Sequence, residues 1–194
     1  MTTSEHSQQI ADDEQGMRAA LAMAQQAYDA GEVPVDAVVV LDGYIIGRGF
    51  NQPISRVDPS AHAEMVAIRE AAQCIGNYRL AGATLYVTVE PCTMCTGLLI
   101  HSRIARLVYG AAEPKAGAIQ SALQLPQQPF YNHVMDIKDG VLADECSQLM
   151  SDFFAMRREA KKRLKQSLQM ADDSVNGGDR KEIPEPASRS KNRE

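Results

Sequence analysis

The chain has 194 residues, 44% of them hydrophobic, which is enough for one sizeable core; its formal charge of −5 gives no whole-chain nucleic-acid signature, so any basic surface must be local. Aromatics are only 5% and tryptophan is absent, leaving aliphatic and alanine packing to dominate. No apolar run approaches a membrane span, and MTTSEHSQQIADDEQ lacks the apolar stretch of a signal peptide, so a soluble, cytoplasmic protein with no membrane partner is expected.

Residues 14–30 space Met17, Ala20, Leu21, Ala24, Ala27 and Tyr28 at three- and four-residue intervals, which predicts an amphipathic helix ended by Gly31. Val33 to Leu41 is a β-branched run, Asp42-Gly43 a hairpin turn signal, and Tyr44 to Phe50 the returning strand. After a polar loop from Asn51 to Pro59, Ser60 can cap a helix whose face carries Met65, Ile68, Ala71 and Ala72. Ala83 to Val89 reads as a strand, and Pro91 as the start of a helix reaching about Ile100. Arg106 to Tyr109 is a short strand; 111–129 is loop with a short helical piece; Val134 to Ile137 is a weaker strand pattern. A helical pattern then runs from Leu142 to about Gln169. Strands alternating with helices after a hairpin predict a three-layer α/β/α sandwich around a mixed five-stranded sheet. The expected organisation is a flexible 1–13, a single domain over 14–169, and a disordered polar tail over 170–194.

The four cysteines, Cys74, Cys92, Cys95 and Cys146, do not form a disulfide framework in a chain this long. Cys92 and Cys95, in Pro91-Cys92-Thr93-Met94-Cys95, can point two sulfurs to one side of a helix start, where backbone N–H groups favour thiolates. A lone pair of this kind is equally a redox or structural zinc motif, but the second Cys/His pair that a zinc knuckle needs is missing. His62 offers a third ligand, although a histidine alone is as readily a core or capping residue. Three protein ligands leave one zinc position open to water, the pattern of a catalytic site, and Glu64 supplies a nearby carboxylate that can move protons. The whole reading requires two helix starts to meet at one sheet edge. Cys74 and Cys146 are expected to pack within helices, His101 to support a helix end, and His133 has no assigned role.

His62-Ala63-Glu64 with Pro91-Cys92-x-x-Cys95 resembles the signature of the zinc-dependent nucleoside and nucleobase deaminases. GEVPV at 31–35, FNQPI at 50–54, DPSAHAE at 58–64, NYRL at 77–80, ATLYVTVEPCTMC at 83–95, IHSRI at 100–104 and LADECSQLMSDFFAMRR at 142–158 extend the likeness to the bacterial tRNA-specific adenosine deaminases, over roughly 15–165. The resemblance implies a cytidine-deaminase-like fold, a homodimer, and conversion of the wobble adenosine in a tRNA anticodon stem-loop to inosine with release of ammonia. It also implies one Zn2+ per subunit on His62, Cys92 and Cys95, with Glu64 as the proton shuttle. Asn51 is implied as an adenine contact, with backbone groups around Ala63 and Pro91 lining the base pocket. Glu113, Lys115, Phe154 and Arg158 are implied as RNA contacts.

One clue is independent of the resemblance. Arg157 to Lys165 holds six basic residues and one acidic one, directly after Phe153 and Phe154. Rings beside cations suit single-stranded RNA. One phenylalanine is expected in the core and the other, Phe154, nearer the RNA. Two positions depart from the family pattern: Asp36 replaces the usual glycine, putting a charge near the expected pocket wall, and Glu113 stands where aspartate is common. The rival enzyme is a deaminase of a free base or nucleotide such as guanine or cytosine. A catalytically silent RNA-binding subunit is a third reading, which the intact Glu64 opposes.

Overall fold

Asp36–Leu41 (β1) and Tyr44–Phe50 (β2) pair antiparallel across Asp42 and Gly43, whose φ angles of 53° and 80° are the positive pair that an Asp-Gly hairpin turn requires. The register slips between Val39, opposite Gly47, and Val40, opposite Ile45, so Ile46 is an extra residue on β2. Thr84–Val89 (β3) joins β1 antiparallel, and Arg106–Ala111 (β4) and Asp136–Lys138 (β5) follow in parallel. In this computed structural model, which describes residues 10–176, the result is the expected mixed five-stranded sheet, in the order β2-β1-β3-β4-β5.

Strand periodicity sorts the core into two layers. Ala37, Val39, Leu85, Val87 and Leu107 cluster with Ala63–Ile75 (α3) and Thr93–His101 (α4). Val38, Val40, Tyr86 and Val108 cluster with Met17 and Ala20 of Asp13–Leu21 (α1) and with Cys146, near the start of Ala143–Asn176 (α5). The order of pairing decides where the site forms. Both β2 and β3 oppose β1, so they run the same way and their chains leave the sheet at the same edge. The helix that follows each strand, α3 and α4, therefore starts at that edge.

Glycine lets α3 lie close to β2. A Cβ on Gly47 would stand 2.7 Å from Ala71 N, and one on Gly49 2.6 Å from Ala67 N, so a bare backbone faces the small stripe Ala63, Ala67, Ala71.

Several expected boundaries move. The helix predicted over 14–30 is two, α1 and Ala24–Asp29 (α2), broken at Ala22 and Met23 without a glycine or proline. Its apolar positions Met17, Ala20, Ala24 and Ala27 are buried all the same, so tertiary packing sets the break. Ser60 does not cap α3, which begins after His62; its N–H and hydroxyl both donate to Asp58 Oδ1, at 2.8 and 2.7 Å, in a local turn. Pro91 does not open α4, whose cap residue is Cys92. Cys74 is exposed on α3 rather than packed, whereas Cys146 is buried.

The chain divides into two units, 1–154 and 155–194, and the described part of the second is residues 155–176 of α5. That helix reaches Asn176, past the expected boundary at 169; most of the polar tail and most of the N-terminal segment lie outside the described residues. No helix among the described residues is long and apolar enough to cross a membrane.

Candidate active site

His62 and Cys92 are the cap residues of α3 and α4, each in extended backbone (ψ 154° and 176°) and each without a side-chain capping hydrogen bond. Because His62 precedes the helix, its direction is free of the helical period that would separate it from Glu64. Cys95 lies one turn into α4. His62 Nδ1 is 3.7 Å from Cys92 Sγ and 3.6 Å from Cys95 Sγ, and the three ligand atoms lie within 4.8 Å of one another. Ligands at Zn–N and Zn–S distances of about 2.0 and 2.3 Å around a tetrahedral ion stand roughly 3.6 Å apart, so this donor set fits zinc. Among the described residues no fourth His, Cys, Asp or Glu joins the group. Cys146 packs over Gly110, His133 Nε2 meets Ile104 O at 2.6 Å, and His101 ends α4.

The electrostatics agree with metal binding. The Cys95 thiol and the His62 ring hold the Cys92 thiol down, to about 3. Cys95, donating to that thiolate and buried, is pushed up, so the two sulfurs share one proton that a cation can displace. The Cys92 thiolate raises His62. Glu64, in the first turn of α3 and only 3% exposed, is raised mainly by burial.

A cleft of about 240 Å³ opens over this group, lined by Val33, Val35, Asn51, Val89, Glu90, Glu113, Ala116, Met150 and Phe154 besides His62, Glu64 and Cys92. That lies below the roughly 300–1,000 Å³ of drug-sized sites and suits a single base.

Residues 10–111 match the cytidine and deoxycytidylate deaminase zinc-binding region. The chain is 51% identical over 162 residues to a tRNA-specific adenosine deaminase of Haemophilus influenzae, covering 83% of this chain and 94% of that one. It is 42% identical over 156 residues to a tRNA-specific adenosine deaminase of Bacillus subtilis, covering 80% and 97%. This chain belongs to the tRNA-specific adenosine deaminase family. A solved structure from studies of A-to-I editing by tRNA deaminases at the wobble position shares the fold with a TM-score of 0.67 and 43% identity, over 69% of this deaminase and 97% of that chain.

The expected substrate contacts of this deaminase divide into those the cleft gathers and those it does not. Asn51, Glu113 and Phe154 line it. The Asn51 side-chain oxygen accepts the Ala63 N–H at 2.9 Å, which fixes the amide with its NH2 group as the part left for a base. Ala63 and Pro91 do not line the cleft. The Ala63 N–H is held by Asn51, while Pro91 O accepts the Ala118 N–H at 2.8 Å. Lys115 is exposed outside the cleft, its N–H donating to Glu113 Oε1 at 3.0 Å. Phe153 is buried against Tyr28 with ring centroids 5.8 Å apart, whereas Phe154 is 43% exposed, the division expected of the pair. Arg158 is exposed in the middle of α5, in the second unit.

Asp36 corrects one expectation: it adds no charge to the cleft wall. Its carboxyl is fully buried on the α1 side of β1, with neither oxygen hydrogen-bonded, and burial pushes its pKa up to about 8. Burial thus favours its protonated, uncharged form. Sequence reasoning missed Glu90, Ala116, Met150 and the three valines of the wall; GEVPV and the Glu90 before Pro91 carried the only signal.

Proposed function

We infer that this protein is a zinc-dependent hydrolase that converts the wobble adenosine of a tRNA anticodon stem-loop to inosine and releases ammonia. The observation that carries this reading is the convergence of His62, Cys92 and Cys95 beside buried Glu64 at a base-sized cleft. The three ligands would hold one Zn2+, which supplies Lewis acidity that activates water at neutral pH. Glu64 serves as the proton shuttle, taking a proton from water, passing it to a ring nitrogen and then to the departing amine. The C6–N bond of adenine breaks and a C6–O bond forms. Asn51 donates its NH2 group to the purine edge, and the valines of the wall keep bulk water from the base.

Phe154, half-exposed at the cleft, stacks on a neighbouring base. Arg158 and the other basic residues up to Lys165, all exposed, meet phosphates. Glu113 and Lys115 contribute from the loop beside the cleft. An anticodon loop already presents unpaired bases, which spares much of the unstacking that a duplex demands. The enzyme works as a cytoplasmic homodimer, a reading supported by the exposed apolar side chains Leu123, Phe130 and Val134, which a second copy would cover. Sedimentation analysis checks the dimer.

The deciding experiment incubates zinc-loaded protein with a synthetic anticodon stem-loop, and separately with guanine, cytosine and adenosine. A gain of about 1 Da at the wobble nucleotide, with the free compounds unchanged, is the expected result. Turnover of a free base without RNA editing would establish the rival reading.

A further inference from the structure

Three buried carboxyl groups, Glu32, Asp36 and Glu90, are left without a role by this chemistry, and Glu90 is the one at the cleft. Glu90 is 3% exposed at the end of β3, two residues before Cys92. Its Oε1 accepts the backbone N–H groups of Ile119, Gln120 and Ser121 at 3.1, 2.8 and 2.9 Å. Its Oε2 accepts the Glu113 N–H at 3.1 Å and the Ser121 hydroxyl. All five donors come from one irregular segment, 113–121. With both oxygens so engaged, the group is an anchor rather than a proton carrier. Gly117 lies directly over it, and a Cβ there would overlap the Glu90 carboxylate.

The anchored segment has two faces. One supplies Glu113 and Ala116 to the cleft wall. The other rests on the turn that carries the first sulfur: Gly117 bridges to Cys92, and the Ala118 N–H donates to Pro91 O at 2.8 Å. The Glu90 N–H donates to Ala111 O at 2.8 Å, tying Glu90 itself to the end of β4, two residues before the segment begins. No other side chain among the described residues gathers as many of the hydrogen bonds given for this segment.

We propose that Glu90 is a positioning residue for substrate: by folding segment 113–121 around its carboxylate it fixes the wall bearing Glu113 and Ala116, and so sets the register in which the target nucleotide enters. The proposal rests on the reading of this chain as an RNA deaminase. It predicts a defect in binding the RNA rather than in holding metal or in chemistry.

Two variants test it. Glu90→Gln keeps the volume and one oxygen, but its amide nitrogen cannot accept the Glu113 N–H. Gly117→Ala leaves Glu90 intact and pushes the segment off it. In zinc-loaded protein, each variant is expected to raise KM for the anticodon stem-loop about tenfold, with kcat within about threefold of wild type and zinc still at one per chain. A wild-type KM in either variant, or zinc and kcat lost together, overturns the proposal. Wild-type protein that leaves the stem-loop unmodified overturns the RNA reading as well, so the two failures are told apart.

Discussion

Two buried carboxyl groups lie on opposite sides of the sheet, and the surroundings of each give a different outcome. Glu64 sits beside the His62, Cys92 and Cys95 cluster and lines the cleft. Replacing it with glutamine should leave zinc content and thermal stability near wild type while deamination falls by about 10² or more, measured as inosine formed per chain. Cys92→Ala should lose zinc by metal analysis and activity with it. Asp36 faces the other way, buried with Thr88 and Cys146 nearby and no partner for either oxygen. Its pKa is raised to about 8 in the fold, against about 3.9 unfolded, so between these values the folded state holds a proton that the unfolded chain has released. Stability should therefore fall as pH rises from about 4 to about 8 and level off above that, by about a few kcal/mol. Denaturant midpoints of Asp36→Ala should show a flatter pH dependence across that window, and an unchanged slope would refute the assignment.

At the scale of elements, the site depends on how α3 lies against β2. Gly49 faces the α3 backbone near Ala63 and Ala67, one position from the capping His62. Gly49→Ala should displace the start of that helix, lowering stability by about 1–3 kcal/mol and weakening zinc affinity, whereas Gly31→Ala, with open space and a strained φ of 70°, should lower stability only. Chemical denaturation and competition with a chelator separate the two effects. The helices themselves were legible from apolar spacing, and the hairpin from Asp42-Gly43. Their exact starts were not. His62 and Cys92 occupy cap positions that sequence preference gives to Ser, Thr, Asp or Asn, so the nearest conventional signals, Ser60 as a cap and Pro91 as a first helical residue, each pointed two residues too early.

For the whole molecule, the negative chain carries a basic run, 157–165, on an exposed stretch of α5. Changing Arg158, Lys161 and Lys162 together to glutamine should weaken stem-loop binding and reduce the slope of log affinity against log salt by at most about 2. Zinc content and the fold should be unaffected. An unchanged slope would move the docking face elsewhere on the surface.

Sequence alone determined the donor chemistry: an imidazole, two thiols and a carboxyl in a pattern specific enough to name a family, and helix and strand periods that fixed the fold class. It could not show that the donors meet, because His62 and Cys92 are 30 residues apart and their approach depends on strand direction. Only the pairing of β2 and β3 with β1 brings both helix starts to one edge. Tertiary structure also decided which polar groups remain for substrate. The Ala63 N–H and the Pro91 carbonyl each have a partner inside the fold, and the Asp36 carboxyl is buried away from the cleft; a linear reading shows none of this, because each partner comes from a distant stretch of chain.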